Sequence, residues 1–99
     1  MDRRAEIVEQ VKKVAAVYLP EETKVFIFGS QANLKQLKNA DIDIGIWANT
    51  KLELKKLWEF KEALNATPNL YTFDVVDFCS VSDSFKAVAL RDIEYIIHD

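Results

Sequence analysis

The stretch Asp41-Ile42-Asp43-Ile44-Gly45-Ile46-Trp47 constrains this chain more than any other. Side chains alternate across a β-strand, so Ile42, Ile44 and Ile46 share one face and Asp41, Asp43, Gly45 and Trp47 the other. The isoleucine face demands a core. The opposite face carries two carboxylates about 7 Å apart along the strand. Aspartate is disfavoured in strands, so the pair needs a reason. Left alone the two repel, and one tends to take up a proton. A divalent cation removes the conflict. Mg²⁺ suits oxygen ligands and keeps positions open for water and phosphate oxygens. Gly45, with no side chain, leaves room on that face for a ligand. The plain alternative is a strand whose outer face is simply solvated.

A further strand adds a third carboxylate. In Leu70 to Phe78, LYTFDVVDF, Phe73 and Val75 face the core. Asp74 then points the same way as Asp41 and Asp43, provided the two strands are neighbours. Asp77 has the opposite parity near the strand end and reads as a cap or a surface residue, second choice for the third carboxylate. Three carboxylates on one sheet face allow a two-ion site, with ions about 3.5–4 Å apart. Upstream, the apolar run Lys24–Phe28 ends at Gly29-Ser30. A glycine there lets backbone approach a ligand, the N–H groups of a following turn favour phosphate, and the Ser30 hydroxyl adds a hydrogen bond.

The remaining segments place these residues in order. Residues 2 to 19 read as an amphipathic helix with Ile7, Val8, Val11, Val14, Ala15 and Tyr18 at helical spacing, capped by Asp2 and ended by Pro20. Residues 30 to 38 are a loop or a turn or two of helix, with Leu34 and Leu37 packing inward. A second long helix runs from Lys51 to Leu64, with Thr50 as its cap and Leu54, Leu57, Trp58, Lys61 and Leu64 along one stripe. Asp83 to Leu90 form a helix started by Ser82 or Ser84. Ile93 to Ile97 form a short strand or a last helical turn. The order favours an α+β chain: a small mixed sheet with helices packed on one face, in a single domain over residues 1–99. The second and third strands, joined through a long helix, lie parallel by a right-handed crossover; the first and second are free to pair antiparallel.

Composition narrows the function. Of 99 residues 49% are hydrophobic and 29% charged, ordinary for a globular domain, and the formal net charge of −3 argues against wrapping duplex nucleic acid. A nucleotide ligand stays compatible, because metal ions offset its charge. One cysteine, Cys79, allows no internal disulfide, and neither a signal peptide nor a membrane span is visible, so a cytoplasmic setting is expected. Asn65-Ala66-Thr67 fits a glycosylation triplet, which that setting leaves unused.

The pattern apolar-Gly29-Ser30, ten residues, Asp41-apolar-Asp43-apolar resembles the nucleotidyltransferase domain of the DNA polymerase β superfamily, over roughly residues 24 to 78. The small size resembles the minimal nucleotidyltransferases, the antitoxin-type partners of helical HEPN proteins. Asp74, with Val75-Val76-Asp77-Phe78, resembles that family's third-carboxylate strand. The loop departs from the pattern: Gln31 and Asn33 stand where arginines are frequent, Leu34 where a second glycine is, and Ala40 where a serine is. Lys35 or Lys38 could replace the lost charge. The resemblance implies a palm-like fold and Mg²⁺-dependent transfer of a nucleoside monophosphate, AMP from ATP, to a hydroxyl. The phosphates would lie between Gly29-Ser30 and two Mg²⁺ held by Asp41, Asp43 and Asp74, with Asp74 also helping to deprotonate the attacking hydroxyl. In the antitoxin reading the acceptor is a tyrosine of the HEPN-type toxin. At this length the acceptor site must be shared with another chain or a second copy, a homo- or hetero-oligomer. The alternative is a binding module of the same fold, weak or inactive as an enzyme, that neutralises its partner by contact.

The other conspicuous residues read more plainly. Trp47 either stacks on a base or covers the sheet edge. Trp58 and Phe60 belong to the core or to a partner surface. Cys79 is structural. His98 is solitary and carries no catalytic role.

Overall fold

The computed structural model describes residues 3–29, 41–66 and 71–97. The proposed cap Asp2, the loop with Ser30, Gln31, Asn33, Leu34, Lys35, Leu37, Lys38 and Ala40, and His98 lie outside the described residues. The elements run α1 (Arg3–Tyr18), β1 (Lys24–Phe28), β2 (Asp41–Trp47), α2 (Leu54–Ala66), β3 (Thr72–Asp77), α3 (Asp83–Ala89) and β4 (Glu94–Ile97). The chain end that pattern alone left open is a strand. The four strands form one mixed sheet in the order β3-β2-β1-β4. β1 pairs antiparallel with both β2 and β4, and β2 pairs parallel with β3 through the α2 crossover.

The main core lies on the isoleucine face. Ile42, Ile44 and Ile46 pack with Val25 and Ile27 of β1, Phe73 of β3, Ile7, Val11 and Ala15 of α1, and Phe60 and Leu64 of α2. Each such side chain, fully buried, contributes about 1.5–3 kcal/mol of transfer free energy. Gln10 of α1 donates from Nε2 to the Leu64 carbonyl at 2.9 Å, tying the two long helices together.

α2 corrects the sequence reading twice. It begins at Leu54, not Lys51. Leu52 is buried, and its N–H donates to Asp77 Oδ2 at 2.9 Å, so the residues before the helix are tied to the end of β3 and Thr50 stands too far from the helix start to cap it. The buried stripe is also different. Leu54 and Trp58 are 73% and 62% exposed, whereas Phe60 and Leu64 are fully buried and Leu57 half-buried. Which side of α2 is buried is set by what it packs on: Phe60 and Leu64 meet the isoleucine face. Trp58 thus faces solvent and Phe60 faces the core.

The shortest helix packs on the other face of the sheet, a departure from the expectation of helices on one face only. α3 is capped by Ser82, whose hydroxyl accepts from the Phe85 N–H at 3.2 Å. Phe85 meets Phe28 at 6.0 Å and Phe78 at 5.7 Å between ring centroids. Phe26, Phe28, Phe78 and Ala89 form a second, smaller core there.

Candidate functional site

The register puts the three carboxylates together. Asp43 lies opposite Asp74 across the parallel β2–β3 pair, and opposite Phe28 across the antiparallel β1–β2 pair. Asp41 lies opposite Thr72, one step out on the same face. The alternation that buries Ile42 and Ile44 on one side necessarily turns Asp41 and Asp43 to the other. Asp43 is half-buried, while Asp41 and Asp74 are exposed. Partial burial first, then the neighbouring charges of Asp74 and Asp41, push the Asp43 carboxyl above its ordinary value. Asp43 thus bears the cost of three carboxylates on one face.

Gly29 closes the other side. It has φ +76°, a left-handed conformation that side-chain-bearing residues rarely adopt. A Cβ placed there would come within 3.2 Å of Asp43 Oδ2. The first strand thus ends with bare backbone beside the Asp43 carboxylate. The proposed phosphate partner that follows, Ser30, lies outside the described residues.

The side chains of Asp41, Asp43 and Asp74 offer only oxygen donors, so a hard divalent cation fits their chemistry. Among the described residues no three Asp, Glu, His or Cys side chains already converge as a metal cage. Mg²⁺ does not require one: it is commonly held by one or two carboxylates, with waters and substrate phosphates completing the shell.

Two expectations fail at the far end of the same face. The space over Gly45 is not available to a ligand: an added Cβ would run into Phe26 Cε2 and lie 2.8 Å from Phe78 Cε1. Gly45 is glycine because two aromatic rings press on it. Trp47 does not present a stacking face beside the carboxylates. It packs against Phe78 at 6.1 Å, and Lys86 Nζ sits 5.2 Å from its ring centroid. β2 is an inner strand, so Trp47 covers the end of that strand and not an edge of the sheet.

Asp77 and Cys79 have structural work. Asp77 is buried, and its two carboxylate oxygens accept the N–H groups of Leu52 and Cys79, each at 2.9 Å. It does not face Asp43. The Cys79 thiol donates to the Ala48 carbonyl at 3.2 Å.

Two residues of α2 reach this region unnoticed in the sequence. Lys61 Nζ lies 2.9 Å from Asp74 Oδ1. Asn65 donates to the Phe73 carbonyl at 2.9 Å and accepts the Phe73 N–H at 2.8 Å, pairing the exposed edge of β3 just before Asp74. That use of its amide is structural, and the glycosylation triplet it belongs to is incidental. Lys61 and Asn65 are four apart on a helix, and only that spacing hints that both face one neighbour.

Comparison with known proteins bears on the family and the fold. The polymerase beta nucleotidyltransferase family model matches residues 5–99. No curated protein sequence matches the chain. Solved structures of similar fold include a chain of a toxin–antitoxin complex with AMP-PNP, at 23% identity and TM-score 0.78, covering 93% of this chain and 73% of that one. A chain of the MntA–HepT toxin–antitoxin complex matches at 20% identity and TM-score 0.75, over 96% of this chain and 73% of that one. A chain from the complex of tri-AMPylated Shewanella oneidensis HEPN toxin with MNT antitoxin matches at 20% identity and TM-score 0.75, over 96% and 72%. No helix among the described residues is long and apolar enough to cross a membrane.

Proposed function

The chain belongs to the polymerase beta nucleotidyltransferase family, and from that premise we propose that it transfers AMP from ATP to a hydroxyl of a HEPN-type toxin, acting as the toxin's antitoxin in the cytoplasm. One observation carries the reading: Asp41, Asp43 and Asp74 share one sheet face, and Asp43 is held above its ordinary pKa by burial and by the other two. The similar folds found in toxin–antitoxin complexes, one with AMP-PNP and one with an AMPylated toxin, support the substrate and the partner.

Asp41 and Asp43 would hold Mg²⁺, and Asp74 would complete a second position. Bound there, two ions supply charge neutralisation of the triphosphate and of the leaving pyrophosphate. The chain's own residues do the rest. Gly29 lets phosphate approach the backbone, with Ser30 donating to a phosphate oxygen. Asp74, exposed on an edge strand, would face an acceptor arriving from another chain. It takes the proton of the tyrosine hydroxyl as that oxygen attacks the α-phosphorus and the bond to pyrophosphate breaks. Positioning and electrostatics account for most of such a rate enhancement.

The second reading is a binding module of the same fold that silences its partner by contact. It is favoured by the Lys61–Asp74 ion pair, which occupies one carboxylate. One experiment separates the two. The chain is incubated with Mg²⁺, labelled ATP and a HEPN-type toxin as candidate partner, and label on that protein is measured. Asp41→Asn combined with Asp43→Asn should lower transfer by at least about 100-fold. Equal transfer by both proteins removes the two-ion reading. Inhibition of the partner without any label establishes the binding module.

A further inference from the structure

Asp74 belongs to edge strand β3, and its carboxylate already has a partner in Lys61. Lys61 sits on α2, whose buried residues pack on the isoleucine face. Its side chain therefore passes round the edge of the sheet to reach the carboxylate face. One helical turn later Asn65 fixes this arrangement. Its amide donates to the Lys61 carbonyl at 3.0 Å as well as to the Phe73 carbonyl, so the turn from 61 to 65 is tied to the residue preceding Asp74. The ammonium is delivered by a held segment, not by a wandering surface chain. Lys61 and Asp74 are 46% and 61% exposed, and pairs so exposed add little to folding. Its consequence falls on the carboxylate.

We propose that Lys61 is a built-in counter-cation of the site, holding Asp74 while no divalent ion is present and competing with that ion for the Asp74 oxygen. This rests on the metal-dependent reading given above. The ammonium is a compact single charge on a flexible stem. A divalent ion that uses Asp74 Oδ1 must displace it, and the displaced ammonium stays beside the ion. Both effects weaken ion binding at Asp74. The affinity of the chain's outer ion position is thereby set by a residue on the helix behind the sheet.

The test is a Mn²⁺ titration of the full chain with AMP-PNP, following free Mn²⁺ by electron paramagnetic resonance. Wild type is compared with Lys61→Met, Lys61→Gln and Lys61→Arg, each checked for folding by circular dichroism. Lys86→Met serves as control, since Lys86 lies over Trp47 at the far end of the face. Removing the charge in either neutral variant should tighten the weaker Mn²⁺ site by about three- to tenfold, as expected for one exposed charge acting on a divalent ion. Lys61→Arg and Lys86→Met should stay within about twofold of wild type on the same grounds. Unchanged or weaker Mn²⁺ binding in both neutral variants overturns the proposal and leaves the metal-dependent reading standing. If wild type binds no more Mn²⁺ than Asp41→Asn plus Asp43→Asn, that reading fails, and the role of Lys61 falls with it.

Discussion

Asp43 and Gly45 are two residues apart on one strand and point the same way, yet they sit in opposite surroundings. Around Asp43 are a second and a third carboxylate, a bare glycine backbone and solvent. Around Gly45 are Phe26, Phe78 and the underside of α3. The difference comes from the neighbouring strands and not from β2 itself. β1 places Phe26 opposite Gly45, and β3 places Asp74 opposite Asp43. The aromatic half releases the usual free energy of burial and fixes α3. The carboxylate half holds like charges together at a cost to the fold. Sites that keep such a cost are commonly those that bind something.

Substitutions at the two ends should therefore move stability in opposite directions. The largest effect is expected from Gly45→Ala. Its Cβ would meet ring atoms of Phe26 and Phe78 well inside contact distance, and repacking two buried rings should lower stability by about 3 kcal/mol, read by chemical denaturation. An unchanged midpoint would mean the aromatic half is not close-packed. Asp77 sharpens the contrast, because it is an aspartate of the same strand as Asp74 but serves the backbone. Asp77→Ala strands two N–H groups, from Leu52 and Cys79, and should cost about 2 kcal/mol. Asp77→Asn, keeping one acceptor oxygen, should fall between. A neutral Asp77→Ala would return Asp77 to the candidates for the third carboxylate.

The smallest effect has the opposite sign. Asp43 binds its proton more tightly folded than unfolded, since its folded pKa is raised. Stability from this group is full at low pH and is lost as pH rises from the ordinary carboxylate range through the raised value. Asp43→Asn should flatten that fall and raise the melting temperature at neutral pH in a chelator. Adding Mg²⁺ should stabilise wild type more than the variant. A variant melting below wild type in chelator at neutral pH would show that Asp43 is a structural residue like Asp77.

Much of the fold was legible because β2 is unambiguous. Strict alternation of isoleucine with small or charged residues fixes the two faces, and the bounds of β1 and β2 follow from the apolar runs themselves. Parity also assigned Asp74 to the face of Asp41 and Asp43, because period two holds for any strand once its core residues are known. The start of α2 was misread because helix propensity at Lys51 to Glu53 lost to a tertiary bond, the Leu52 N–H to Asp77. The buried stripe was misread for a separate reason: apolar residues stand on two sides of α2, and only packing on the isoleucine face selects Phe60 and Leu64 over Leu54 and Trp58. Gly45 was misread because an absent side chain looks the same whether the space holds a ligand or a ring.

The sequence by itself determined which residues share a face, since that depends only on backbone periodicity. It thereby paired Asp41 with Asp43 and set both against the core. Only the tertiary structure decided what stands over each of them. The rings above Gly45 come from residues 26 and 78, the raised carboxyl of Asp43 from burial and from a strand 31 residues away, and the ammonium on Asp74 from a helix on the far side of the sheet. Packing and electrostatics act through space, and distances between strands and helices are set only once the chain has closed on itself.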